Sequence, residues 1–251
     1  MNTVKLKRFI MDVIVKKNVD TFDQDVKSNG GYKYSHRAKY SSYVANKRIT
    51  DEIMRFISGK KNIRSIIDIG CGDGSYTGEL KSLMPDIELT GFDPALEAIN
   101  VAAENHPECT FQAGNVLDTR TFPERRFDLA IMRGVIHHLP TQSVAVGNAA
   151  ELSSLLLIIE PNGNNPILKW IEKNSRYHIE HEEQSFTSEF LTGICKQNGW
   201  RVRSVKYIGL VPFFFPTLPS RIIHAAQPFL ERIPLLAKYF GAQVVILAER
   251  D

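Results

Sequence analysis

Cysteine is scarce in this chain. Cys71, Cys109 and Cys195 are the only three, and no pair has CxxC spacing. A disulfide framework is therefore excluded, a structural zinc site is disfavoured, and a reducing, cytoplasmic setting suits the count. Long apolar runs are missing too: none approaches the roughly 18 uninterrupted residues that span a bilayer. No HExxH order offers a catalytic zinc site, no internal repeat stands out, and no tract has low complexity. Charge of one sign is not in excess, since 31 Lys and Arg face 28 Asp and Glu for a net +3. With 43% apolar and 24% charged residues among 251, wholesale disorder and fibrous architectures are excluded.

The even balance conceals an asymmetry. Residues 1–61 hold 14 Lys and Arg against 6 Asp and Glu, a net of +8 that leaves −5 for the remainder. Such a front end could meet phosphates or an anionic membrane, or simply face water. Leu6, Phe9, Ile10, Val13 and Ile14 alternate with lysines as on an amphipathic helix over 1–28. Lys16 and Lys17 follow this stretch without a small-residue cleavage site, so a signal peptide is not expected. Asn29-Gly30-Gly31 marks a turn. Val44, Ile49, Ile53 and Ile57 then resume a helical spacing. We expect a helical cap over 1–60 and one larger domain over 61–251.

The rhythm changes in the centre. Short apolar or β-branched runs at 65–69, 87–92, 110–114, 127–132 and 155–159 alternate with helical patterns at 75–84, 95–105 and 143–153. This alternation predicts a parallel sheet with right-handed crossovers. Beyond Glu160 the sequence reads as irregular over 161–186. A helix near 187–198, a strand near 201–208, an apolar insert over 209–240 and a last strand in AQVVILAER follow.

The most informative segment is IIDIGCGDGS, residues 66–75. A buried strand runs into alternating glycines and then a helix. Gly70 permits the tight turn, Gly72 a close approach to bare backbone, and Gly74 a helix start close by. Asp93 ends the second strand 19 residues past Gly74, where a carboxylate can accept both hydroxyls of a ribose. The dehydrogenase pattern GxGxxG would need Gly or Ala at position 75, and this chain has Ser75.

IIDIGCGDGS, GFDPA, FQAGNVLD and FDLAIMRGVIHHL, in that order, resemble the motif series of class I S-adenosylmethionine (SAM) dependent methyltransferases over about residues 60–160. The resemblance implies a Rossmann-like, doubly wound α/β fold with a seven-stranded sheet, mostly parallel with the last strand antiparallel. It implies SAM as cofactor and S-adenosylhomocysteine (SAH) as product. Asp68 and the backbone of Gly70, Cys71, Gly72 and Gly74 would hold the methionyl part, and Asp93 the ribose. Pro94 would wall the adenine, with Asn115 at its amino group, where the family usually has Asp, and Val116 against the ring. Met132 and Arg133 would face the sulfonium. Because a fixed positive charge there is unfavourable, the Arg133 guanidinium is expected to point away or to pair with a carboxylate.

Displacement at a methyl sulfonium needs alignment of the acceptor and exclusion of water, with a base only where the acceptor keeps its proton. His137, after the fourth strand, and His181, in YHIEHEE, are the candidate bases. His137 and its neighbour His138 could equally be structural. His178, Glu180, Glu182 and Glu183 accompany His181, but no metal is expected. The nucleic-acid signature Asn/Asp-Pro-Pro-Tyr/Phe does not follow the fourth strand, and no Pro-Cys pair is present. Inserts at about 161–186 and 209–240 instead carry Trp170, Tyr177, Phe186 and a run from Phe213 to Leu236. Such a run fits a small or lipid-like hydrophobic acceptor, methylated at oxygen, beside a membrane or a homodimer interface. Tyr32, Tyr34 and Tyr40 are candidate aromatic contacts in the cap. An RNA methyltransferase, a non-catalytic SAM-binding scaffold and, more distantly, a nicotinamide dehydrogenase are the alternatives.

Overall fold

The computed structural model describes residues 40–60, 62–174, 184–211 and 215–250. The amphipathic pattern of 1–28, Tyr32, Tyr34, His178 and His181 lie outside them. Strands β1 (Ser65–Ile69), β2 (Glu88–Asp93), β3 (Thr110–Ala113), β4 (Leu129–Arg133), β5 (Leu155–Pro161), β6 (Arg201–Ile208) and β7 (Gln243–Glu249) form one sheet. Its order is β3-β2-β1-β4-β5-β7-β6. The pairs among β1 to β5 are parallel, and β7 is antiparallel to both neighbours. Strand order reverses between β1 and β4, which opens a crevice at their carboxyl ends.

Helices α1 (Tyr40–Ser58), α2 (Ser75–Leu83), α3 (Leu96–Asn105), α4 (Gln142–Leu152), α5 (Pro166–Asn174), α6 (Ser188–Gln197), α7 (Thr217–Leu230) and α8 (Pro234–Phe240) complete the described chain. Helix α5 corrects the irregular reading of 161–186. Asn165 Oδ1 accepts from the backbone N–H of Ile167 at 2.9 Å and Leu168 at 3.3 Å, and Pro166 opens the helix. Loop-like residues therefore act as a start signal. In the later insert the prolines fall mostly where a helix tolerates them. Pro216 precedes α7, Pro219 sits in its first turn and Pro234 opens α8, leaving only Pro228 inside α7.

Period-2 alternation gives the sheet two buried faces. Ile67, Ile69, Met132, Leu156 and Ile158 pack with α4 and α6. Ile66, Leu129, Ile131, Leu157 and Ile159 pack with Ile49, Ile53 and Ile57 of α1 and Leu80 of α2. The apolar spacing in α1 is thus the stripe that docks it on the sheet. Polar contacts strap α1 to the end of the chain. Arg48 donates from Nε and Nη2 to Glu231, and Arg48, Arg55 and Lys206 all reach Glu52. Burial alone would push the Glu52 pKa up, but hydrogen bonds from Lys206 and Arg48 hold it below the ordinary range. No helix among the described residues is long and apolar enough to cross a membrane.

Candidate active site

The glycine loop leaves β1 with Gly70, Gly72 and Gly74 all at positive φ, 77°, 55° and 73°. A Cβ at Gly70 would fall 2.3 Å from Val135 Cγ2, and one at Gly74 would fall 2.7 Å from Ala102 Cβ and 2.9 Å from the Phe111 ring. Both positions combine left-handed backbone with no room, so no other residue fits without rearrangement. Five of the loop's backbone donors are engaged inside the protein. Gly70 N–H and Cys71 N–H donate to Phe92 O, Gly72 N–H to Asp93 Oδ2, Gly74 N–H to Cys71 O and Ser75 N–H to Asp73 Oδ1. A pyrophosphate needs such donors free. Carbonyls and carboxylates remain, which suits a cationic ligand instead. Burial, then Asp93 and Asp68, push the Cys71 thiol well above its usual pKa, so it is a packed thiol and not a nucleophile.

Asp93 ends β2 next to this loop. Its Oδ2 accepts from Gly72 N–H at 3.0 Å and its Oδ1 from Ala95 N–H at 2.9 Å. One carboxylate therefore joins the glycine loop to the start of α3. A carboxylate oxygen can accept more than one donor, so such a group can serve the fold and a ligand together.

Asp68 and Arg133 lie on the α1-facing side of the sheet, two residues beyond Ile66 and Ile131 respectively. Asp68 accepts from Thr77 Oγ1 at 2.6 Å. Burial raises its pKa, opposed by the Thr77 hydrogen bond and the Arg133 charge. Arg133 lies over the Tyr76 ring, its guanidinium carbon 3.6 Å from the centroid, and Nη2 donates to Asn46 Oδ1 at 3.0 Å. Tyr76 Oη donates to the same oxygen at 2.8 Å. The positive charge is thus stacked and anchored on α1. Asn46 Nδ2, buried here, has no hydrogen-bond partner among the described residues. An acceptor carboxylate and an orphaned donor at one end of the site match the amino and carboxylate groups of an amino acid, which is the fit the methionyl end of SAM requires.

The residues expected around the adenine and sulfonium are placed more variously. Pro94 is exposed beside Asp93. Asn115 Oδ1 accepts from Leu117 N–H at 2.9 Å, holding a local turn. Val116 is buried in the core, and its carbonyl accepts from Asn148 Nδ2 at 2.9 Å. The Met132 side chain, expected toward the sulfonium, lies on the opposite sheet face from Asp68, buried with Ile69 and Ile158.

Glu160 is the functional candidate that sequence reasoning missed. It ends β5, fully buried, 23 residues from its main partner. Oε1 accepts from Val135 N–H at 2.8 Å and Ile136 N–H at 2.7 Å, while Oε2 meets His137 Nδ1 at 2.6 Å. A carboxylate only accepts, so Nδ1 carries the proton and Nε2 is the basic nitrogen of His137. The His138 ring lies 3.9 Å from that of His137, tilted by 43°. The signal available was an acidic residue closing the apolar run LLLII with no opposite charge nearby in sequence. Among the described residues, no three His, Cys, Asp or Glu side chains gather as a metal cluster.

A family model described as "Methyltransferase domain" matches residues 40–205. The chain belongs to this methyltransferase family. Its fold is that of the class I, SAM-dependent members. The human "Probable tRNA methyltransferase 9B" is 25% identical over 187 residues, covering 69% of this chain and 38% of that protein. The chain therefore spans well under half the length of that relative. Magnesium protoporphyrin IX methyltransferase from Synechocystis, solved with bound SAM, superposes with a TM-score of 0.62 at 14% identity over 93% of this chain and 97% of its own. The plantazolicin methyltransferase BamL, solved with a substrate analogue and SAH, gives 0.61 at 19% identity over 96% and 99%.

Proposed function

We propose that this methyltransferase transfers a methyl group from SAM to an oxygen of a small or lipid-like hydrophobic acceptor, releasing SAH. The observation that carries the cofactor half is the loop whose backbone donors are engaged internally. It leaves acceptors and the paired Asp68 and Asn46 groups for an amino-acid end. In this reading Asp68 takes the ammonium, Asn46 Nδ2 with Arg133 takes the carboxylate, and carbonyls of the Gly70 to Gly74 loop line the methionyl chain. Asp93 holds the ribose hydroxyls, Pro94 and Val116 flank the adenine, and Asn115 meets its edge. Helix α1, the described part of the expected 1–60 cap, closes this crevice ahead of the cofactor domain over 61–251.

Bound there, the sulfonium supplies a methyl carbon activated for direct displacement. The chain's own task is to align the acceptor and remove its proton. His137 is the base: Glu160 accepts from its Nδ1–H, which makes Nε2 the basic nitrogen for the proton of an acceptor hydroxyl. His181 is a second candidate base, outside the described residues. The apolar character of the 209–240 insert, at the carboxyl edge of the sheet, supports a hydrophobic acceptor and contact with a membrane or a second copy. The Synechocystis and BamL neighbours, named for magnesium protoporphyrin IX and for plantazolicin, are in keeping with an acceptor of this kind.

RNA is the second reading, favoured by the tRNA methyltransferases among the relatives. Incubation with methyl-labelled SAM and separate lipid, small-metabolite and RNA fractions decides between them. Label in the lipid or metabolite fraction is expected. Label confined to RNA would replace the proposed acceptor class, and a failure of SAH to raise Tm would remove the cofactor assignment.

A further inference from the structure

Helix α7 is built inside out. Leu218, Ile222, Ala225 and Phe229 recur at the spacing that lines one side of a helix, and all four are exposed, the three large ones by 71%, 66% and 70%. Its buried positions are instead polar. Ser220 Oγ donates to Pro216 O at 2.8 Å, and Gln227 Oε1 accepts from Leu210 N–H at 3.0 Å. Helix α8 continues the surface with Leu235 and Phe240, and α5 packs beside it, bringing Trp170 at 66% exposure. Asn162 and Asn165 both donate to Gly241 O, fixing the end of α8 to the turn after β5. An apolar face of this size costs free energy in water, so its presence on a polar-docked helix calls for a partner.

The charges on the same elements identify the partner's chemistry. Residues 215–240 contain a single carboxylate, Glu231, and it turns inward to Arg48 and to Gly209 N–H. Arg221 and Arg232 are exposed, stack near the Tyr40 and Phe229 rings, and form no ion pair among the described residues. Tyr40 Oη and His224 Nδ1, on α7, are hydrogen-bonded at 2.8 Å. Residues 1–39, which join the fold there, carry nine Lys and Arg against four Asp and Glu. A greasy face flanked by Arg221 and Arg232, beside which the exposed carboxylate of Glu189 is taken up by Lys238, matches an anionic bilayer.

We propose that the α7–α8 face, with Trp170, docks peripherally on an anionic lipid surface. Strand β6 runs parallel to β5 because both oppose β7, so α7 leaves β6 at the same sheet edge as the glycine loop and His137. Docking brings that edge to acceptors dissolved in the bilayer, a consequence that rests on the methyltransferase reading above. The docking itself does not depend on it.

Flotation of the full chain with vesicles of phosphatidylcholine, alone or mixed with phosphatidylglycerol, tests the proposal. Binding is expected to the mixed vesicles and far more weakly to the neutral ones. Ile222→Asp with Phe229→Asp abolishes it, and Arg221→Gln with Arg232→Gln weakens it about thirtyfold. The Tm rise with SAH, measured on each variant, checks that the fold is retained. No vesicle binding, equal binding to both preparations, or a dimer in sedimentation velocity that Ile222→Asp dissociates would each overturn it. Absence of any Tm rise with SAH in the parent protein contradicts the cofactor reading alone, so the two failures are told apart.

Discussion

The guanidinium of Arg133 stacks 3.6 Å from the centroid of the Tyr76 ring while donating to Asn46. A charge from the end of β4 is thereby fixed between the helix that follows the glycine loop and the helix that precedes the sheet. The stack and the hydrogen bond together decide where this charge is directed.

Asn46→Ala removes the acceptor of two hydrogen bonds. Stability is expected to fall by about 1–3 kcal/mol, because Tyr76 Oη and Arg133 Nη2 lose a partner. Affinity for SAH should fall as well, whereas 5′-methylthioadenosine, which has no amino-acid end, should bind as before. Calorimetric titration of both ligands checks this, and an equal loss for both would refute contact with the carboxylate.

Asp93→Ala should weaken SAH binding and also destabilise the protein by about 1–3 kcal/mol, since Gly72 N–H and Ala95 N–H are left without their acceptor. Asp93→Asn retains one oxygen and should lose less on both counts. Denaturant unfolding alongside ligand titration separates the two effects. An Asp93→Ala protein of unchanged stability would show that the loop does not depend on this carboxylate.

Glu160→Gln keeps an oxygen for the N–H groups of Val135 and Ile136 but turns an amide NH2 toward His137 Nδ1. The favoured tautomer then shifts its proton to Nε2, and general-base function is lost. Turnover is expected to drop about 100-fold or more with SAH affinity unchanged. His137→Ala should match it in turnover, and nitrogen chemical shifts of the ring should report the tautomer directly. Full activity in both variants would remove this histidine from the mechanism.

Burial raises the Asp68 pKa, so the folded protein holds that proton more tightly than the unfolded chain. This group therefore costs stability as pH rises from the ordinary carboxylate range through its raised value. Binding of an ammonium group needs the anion. Affinity for SAH should weaken as pH falls through the raised value, beginning above the ordinary carboxylate range near 4. In Asp68→Asn that dependence should vanish, and a parent titration flat over the same range would contradict the assignment.

The sheet was legible because buried parallel strands are written as short apolar runs, and each run lies within two residues of its strand. Phe127, expected to open β4, forms only an isolated bridge to Ser153. The glycine loop and Asp93 were legible because backbone that admits no side chain leaves its mark on sequence. Asn46 and Glu160 were not, since each acts across 23 or more residues; nothing local marks Asn46, and the acidic end of the apolar run LLLII marks Glu160 without naming its partner. Asn165-Pro166 hid α5 because the same pair that caps a helix also makes turns. The sheet face that the Met132 side chain takes, opposite to Asp68, needs strand register, which no single segment of sequence carries.

Glu231 and Arg48 join α1 to the turn between α7 and α8, and Asn46 stands two residues from Arg48 on the same helix. One helix thus carries both the proposed carboxylate donor and the grip on the segment proposed to meet lipid. Under the two proposals a ligand at Asn46 and a surface against α7 would both load this one helix, so occupancy of either is expected to alter retention at the other.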